Sequence, residues 1–107
     1  MIDEINPAEA HEALRKDSKA KLIDVRTDEE FTEVHAKGAI HIVLNKISKA
    51  ALAAAGINDP ASNLFLICKA GGRSRQACQM LAAEGFTNLH NVSGGTMAWV
   101  EEDLPHE

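Results

Sequence analysis

Apolar and polar positions alternate along this chain in blocks that change period from strand-like to helical several times. Ile2 to Ile5 is short and suits a sheet edge. Asn6 then stands as a helix cap, with Pro7 at the first helical position and Glu9 three residues after the cap, while Ala10, Ala13 and Leu14 make the buried stripe. Leu22 to Val25 clusters aliphatic residues after polar Lys19-Ala20-Lys21 and reads as a strand. Thr27 with Glu30 spells a capping box for a short helix that buries Phe31 and Val34. Ala39 to Val43 is a further strand. Ile47, Ala51, Ala54 and Ala55 space as one face of a third helix, stopped by Gly56.

The second half repeats the alternation after the turn-like linker Asn58-Asp59-Pro60-Ala61-Ser62. Leu64 to Ile67 shows no polar alternation, as expected of a central strand covered on both faces. A helix from Ser74 buries Ala77, Met80 and Leu81 and ends at Gly85. Leu89 to Val92 is the last strand, and Gly94-Gly95 leads into a terminal helix carrying Met97, Trp99 and Val100, with Trp99 packed in the core. Alternating strands and helices predict an α/β fold in three layers, a mainly parallel sheet with helices on both faces. At 107 residues the chain has room for one domain, residues 1–107. A chain of this size buries roughly 65% of its unfolded surface and needs no staples.

Composition narrows the class. With 45% hydrophobic and 25% charged residues this is ordinary globular protein. The net charge of -5 argues against nucleic acid, because phosphate neutralisation needs a basic surface. The N-terminus lacks the basic and apolar regions of a signal peptide, and no apolar run approaches membrane-spanning length, so neither export nor a membrane is expected. Two cysteines, Cys68 and Cys78, argue against a disulfide framework and make a reducing compartment, the cytoplasm, the simplest setting. The histidines at 11, 35, 41, 90 and 106 have no zinc-like spacing, so no metal or other cofactor is expected.

One run carries chemistry. Cys68-Lys69-Ala70-Gly71-Gly72-Arg73-Ser74 follows the strand at Leu64 to Ile67 and precedes a helix. A thiol there faces the unpaired N–H groups of a curled loop and the positive end of a helix, and both favour thiolate. The glycines permit the positive φ values of an anion-binding nest, and Lys69, Arg73 and Arg75 add positive charge. The competing reading is a buried structural cysteine at a strand end. Arg73 suits a substrate contact or an internal brace to loop carbonyls or Asp24, and Ser74 reads first as a helix N-cap. Cys78 reads as a small core residue, with a resolving thiol as the alternative. Asp24, Arg26 and Glu30 either tune the site or, as the default for charges near a helix start, Arg26 and Glu30 form a structural ion pair. Ser93-Gly94-Gly95 either brings small backbone to the same rim or is a plain strand-to-helix turn.

The pattern Cys68, Gly71, Arg73, Ser74 resembles the active-site loop of the rhodanese sulfurtransferases. Leu22 to Arg26 with Glu29-Glu30-Phe31 and His35 to Ile40 is similar to that family's first signature, and Gly85 to Leu89, Gly94-Gly95 and Trp99 to its closing segment. The resemblance implies transfer of a sulfane sulfur from thiosulfate or a persulfide to cyanide, a thiol or a protein acceptor through a persulfide on Cys68. It implies that residues 69–74 (Lys69, Ala70, Gly71, Gly72, Arg73, Ser74) bind an anionic donor. Related cysteine phosphatases and arsenate reductases use Cys-x5-Arg, whereas Cys68 to Arg73 is Cys-x4-Arg, which makes oxyanion chemistry the weaker alternative. Domains of this kind also serve as sulfur-relay or protein-binding modules. Two departures, Ala36-Lys37 in place of an aliphatic residue and proline, and Val43 in place of proline, put the rigidity of that loop in question.

Overall fold

In the computed structural model, which describes residues 2–107, five strands form one sheet. They are β1 (Ile2–Ile5), β2 (Lys21–Asp24), β3 (Ile40–His41), β4 (Leu64–Ile67) and β5 (Leu89–Val92), in the order β1-β5-β4-β2-β3 with every ladder parallel. The helices are α1 (Pro7–Lys16), α2 (Asp28–Glu33), α3 (Lys49–Ala54), α4 (Gly72–Ala83) and α5 (Gly95–Glu101), with a 3-10 turn at Leu44–Lys46.

β4 explains the layering. Its four residues are all buried, and alternate side chains enter different cores. Leu64 and Leu66 join Ile23, Leu52, Ala77 and Leu81 beneath α3 and α4, while Phe65 and Ile67 join Ala10, Val92 and Trp99 beneath α1 and α5. Both faces are therefore covered, which is what an unbroken apolar strand demands. The expected caps are present: Asn6 Oδ1 accepts from Glu9 N at 2.9 Å, and Thr27 with Glu30 closes the capping box at the start of α2.

Several expectations shift in detail. In α3 the buried side chain is Leu52; Ala54 and Ala55 are exposed, because alanine spacing barely distinguishes one helix face from another. Met80 faces solvent instead of the core, and Cys78 takes the buried position. α2 buries no residue fully; Phe31 is stacked between the rings of His35 and His41 at 3.8 and 4.4 Å. β3 is only two residues long.

The sheet order fixes where a site belongs. From β2 the chain moves outward to β3, and from β4 it moves the opposite way to β5, so the crevice between the carboxyl ends of β2 and β4 is the topological switch point. Cys68 leaves β4 there, beside Val25, whose N–H donates to the Ile67 carbonyl at 3.0 Å. The loop at Ala36-Lys37 is held from outside the sheet. Residues 105–107 run antiparallel to it, with His35 N to Glu107 O and Lys37 N to Pro105 O both at 2.9 Å, while Trp99 Nε1 also donates to Pro105 O at 2.8 Å. A proline at 37 has no N–H to give. The tail supplies the restraint that the proline does not. Among the described residues no helix is long and apolar enough to cross a membrane.

Candidate active site

Cys68 is 1% exposed, and its backbone is clamped by the start of α5. Thr96 N donates to the Cys68 carbonyl at 2.8 Å and Met97 N to the Lys69 carbonyl at 3.2 Å. So close an approach requires Gly95, where a Cβ would stand 2.4 Å from the Cys68 oxygen and where φ is +57°. The Ser93-Gly94-Gly95 turn is thus part of the rim. On the other side the loop curls at Gly71, whose φ of +115° is open to glycine and strained for other residues. That curl aims the Gly71 N–H at Cys68 Sγ, 3.0 Å away.

α4 begins at Gly72, two residues before Ser74, with Gly71 as its cap. Ser74 is therefore not the N-cap expected from the sequence. It lies in the first turn, fully buried, with its hydroxyl 3.3 Å from Cys68 Sγ. Burial pushes the Cys68 thiol up, but the Ser74 hydroxyl and the N–H groups of Ser74, Gly71 and Ala70 outweigh it, and the net direction is down. Hydrogen bonds, more than cations, favour the thiolate.

The cations are largely committed elsewhere. Arg73 forms a fork onto Glu30, at 2.7 and 2.9 Å, and Arg75 reaches Glu4 at 3.0 Å. Glu30 is drawn down to about 2, first by Arg73, with the Thr27 backbone and hydroxyl assisting against the opposing effect of burial. Arg73 thus braces the loop against α2, through a carboxylate and not through Asp24. The expected Arg26–Glu30 pair is not formed; Arg26 pairs with buried Asp24 at 2.8 Å and donates to the Val34 carbonyl at 2.6 Å. Two residues apart on the strand end, Asp24 meets the returning Arg26 side chain before Glu30 can. Of the loop's basic residues, Lys69 alone makes no ion pair among the described residues.

A second layer stands behind Ser74. The Ser74 hydroxyl is bonded to Asn91 Oδ1, and Asn91 Nδ2 donates to the Gly71 carbonyl at 3.1 Å and to Glu4 Oε1 at 3.0 Å. Parallel register makes this possible, since Asn91 pairs with Glu4 on one side and Leu66 on the other. Neither Asn91 nor Glu4 is a candidate from sequence alone. The available signal is an amide, Asn91, placed between Leu89 and Val92 in the short last strand, and the structure buries it fully.

Cys78 packs in the core beneath α4, where burial above all pushes its thiol up to about 12. No group of three or more potential metal ligands occurs among the described residues. A concavity of about 630 Å³ lies at the opposite ends of the strands, lined by residues such as Asp17, Lys21, Asn63 and Asn88. A cavity of about 430 Å³ adjoins the cysteine loop instead, between α2 and α5, and reaches Lys69.

A family model described as Rhodanese-like domain matches residues 6–102. The putative sulfurtransferase YtwF of Bacillus subtilis is 36% identical over 104 residues, covering 97% of this chain and 96% of that protein. Thiosulfate sulfurtransferase GlpE of Vibrio cholerae is 32% identical over 98 residues, covering 92% of this chain and 89% of its own. Among solved structures, SSP1007 of Staphylococcus saprophyticus superposes with a TM-score of 0.76 at 33% identity, covering 91% of this chain and 92% of its own.

Proposed function

The chain belongs to the rhodanese-like domain family, and from that premise we propose that it is a sulfurtransferase, working as one domain, whose sulfur carrier is Cys68. The observation that carries the proposal is a buried cysteine sulfur receiving the Gly71 N–H at 3.0 Å and facing the Ser74 hydroxyl at 3.3 Å. Those donors favour the thiolate over the thiol, and they are suited to hold the terminal sulfur of a persulfide, which is also anionic.

The reaction closes without an outside oxidant. The Cys68 thiolate attacks the sulfane sulfur of thiosulfate, the S–S bond of thiosulfate breaks, and sulfite departs with the electron pair. Cyanide or a thiolate then attacks the outer sulfur of the persulfide, the Cys68 S–S bond breaks, and the thiolate returns. Two half-reactions sharing one covalent intermediate give ping-pong kinetics. Lys69 is the loop cation free to meet an anionic donor. Residues 70–74 cradle the sulfur, with Arg73 acting as a brace. Thiolate chemistry of this kind suits a reducing compartment, and we place the protein in the cytoplasm.

Intact-mass measurement after mixing with thiosulfate tests this: one sulfur atom adds to the wild type and to Cys78→Ser, and none to Cys68→Ser. Persulfide on Cys78 alone would remove Cys68 from the role. Aryl phosphate hydrolysis stays at background, because Arg73 is tied to Glu30 instead of lining an oxyanion cradle. Cys68-dependent phosphate hydrolysis without persulfide formation would replace sulfur transfer with phosphatase chemistry.

A further inference from the structure

The groove between α2 and α5 starts at Lys69, one residue from the sulfur carrier, and has a composition that small anions do not need. Its wall is apolar at Val34, Met97 and Val100, and Met97 is 57% exposed, the most exposed large hydrophobic side chain of the described residues. Its rim is acidic: Glu33 and Glu101 line it, and neither is ion-paired among the described residues. Asp28 and Glu29 on α2, and Glu102 and Asp103 after α5, are exposed and extend the same charge. Arg26 on the groove wall is neutralised by Asp24 and nearby Arg73 by Glu30, so Lys69, at the end next to the cysteine, is the one lining cation without an ion pair among the described residues.

Thr96 supplies an independent sign of a missing ligand. It lines the groove, is 3% exposed, and its hydroxyl is the one buried side-chain polar atom without a hydrogen-bond partner among the described residues. Buried hydroxyls are nearly always paired, and an unpaired one keeps its desolvation penalty uncompensated. A polypeptide carbonyl entering the groove would accept that proton.

Resting on the sulfurtransferase reading, we propose that this groove docks the sulfur acceptor, and that the acceptor is a protein segment bearing a cysteine, an apolar anchor and flanking lysines or arginines. The anchor packs on Met97 and Val100, and the basic flanks face Glu33 and Glu101. The acceptor thiolate attacks the outer sulfur of the Cys68 persulfide, leaving its own persulfide and the Cys68 thiolate.

Two synthetic peptides alike except for lysine or glutamate flanks around a Leu-Cys pair test the assignment. At low salt the basic peptide discharges the persulfide faster by about tenfold or more, and the advantage shrinks as salt rises. Glu33→Lys with Glu101→Lys inverts the preference. Binding is read separately by fluorescence anisotropy of labelled peptides in which serine replaces cysteine, added to Cys68→Ser protein. There the basic peptide binds better, and Met97→Ser and Thr96→Val each weaken it several-fold, while Thr96→Val does not lower the melting temperature. Equal binding of both peptides, or a preference that survives the charge reversal, would overturn the docking site. Binding as described with no persulfide on the wild type would instead remove sulfur transfer and with it the acceptor role.

Discussion

At the level of single residues, the Ser74 hydroxyl has one proton and two acceptors, Cys68 Sγ and Asn91 Oδ1. Facing a thiol it serves Asn91; facing a thiolate it turns to the sulfur, where the charge makes the bond stronger. Cys68 should therefore alkylate with an inflection below the free-cysteine value of about 8.5. Ser74→Ala should raise that inflection by roughly 1–2 pH units, since a hydrogen bond to a charged group is worth about 1.5–3 kcal/mol and one unit about 1.36. The rate of iodoacetamide modification against pH measures both, and an unmoved inflection in Ser74→Ala would assign the stabilisation to backbone alone. The cysteine and its glycines are legible from sequence because loop chemistry is local. Asn91 is not, since its value depends on a neighbour seventeen residues earlier and another in the first strand.

Among the elements, α2 and α4 are joined by one carboxylate. Glu30 caps α2 at Thr27 and holds Arg73 of α4. Its folded value of about 2 lies below the ordinary 4.5, so the stability it contributes is complete above pH 4.5 and is lost as pH falls towards 2. Melting temperature followed from pH 5.5 down to about 2.5 should fall less steeply in Glu30→Gln than in the wild type. At α5, Gly95→Ala sets a methyl group against the Cys68 and Lys69 carbonyls. Backbone must move to admit it, so a loss of at least about 2 kcal/mol in urea unfolding is expected, with slower persulfide formation. The caps of α1 and α2 and the four longer strands are readable because they rest on short spacing. The start of α4 is not, because a helix opening on Gly72 after a left-handed Gly71 has no side-chain cap to signal it.

For the molecule as a whole, the parallel three-layer plan follows from the apolar continuity of Leu64 to Ile67, and the two cores divide as that strand's alternation requires. The tail does not follow from any such pattern, since backbone pairing of 105–107 with 35–37 leaves no side-chain trace. Removing residues 105–107 should lower the melting temperature by several degrees and speed amide exchange at Lys37, which loses its carbonyl partner.

The placement of β1 bears on how the protein comes to life. Among the described residues its one partner is β5, the fifth strand in chain order. A nascent chain exposes Cys68 before Asn91 and Gly95 have emerged, so the amide and the glycine turn that complete the cradle arrive late. Until β5 docks on β4, Ser74 lacks the Asn91 contact and the cysteine backbone lacks the clamp of α5. Closing so long a loop is slow, as non-local pairing generally is. The pace at which Cys68 alkylation reaches its native rate after dilution from denaturant therefore reports when the last strand and α5 close on the loop.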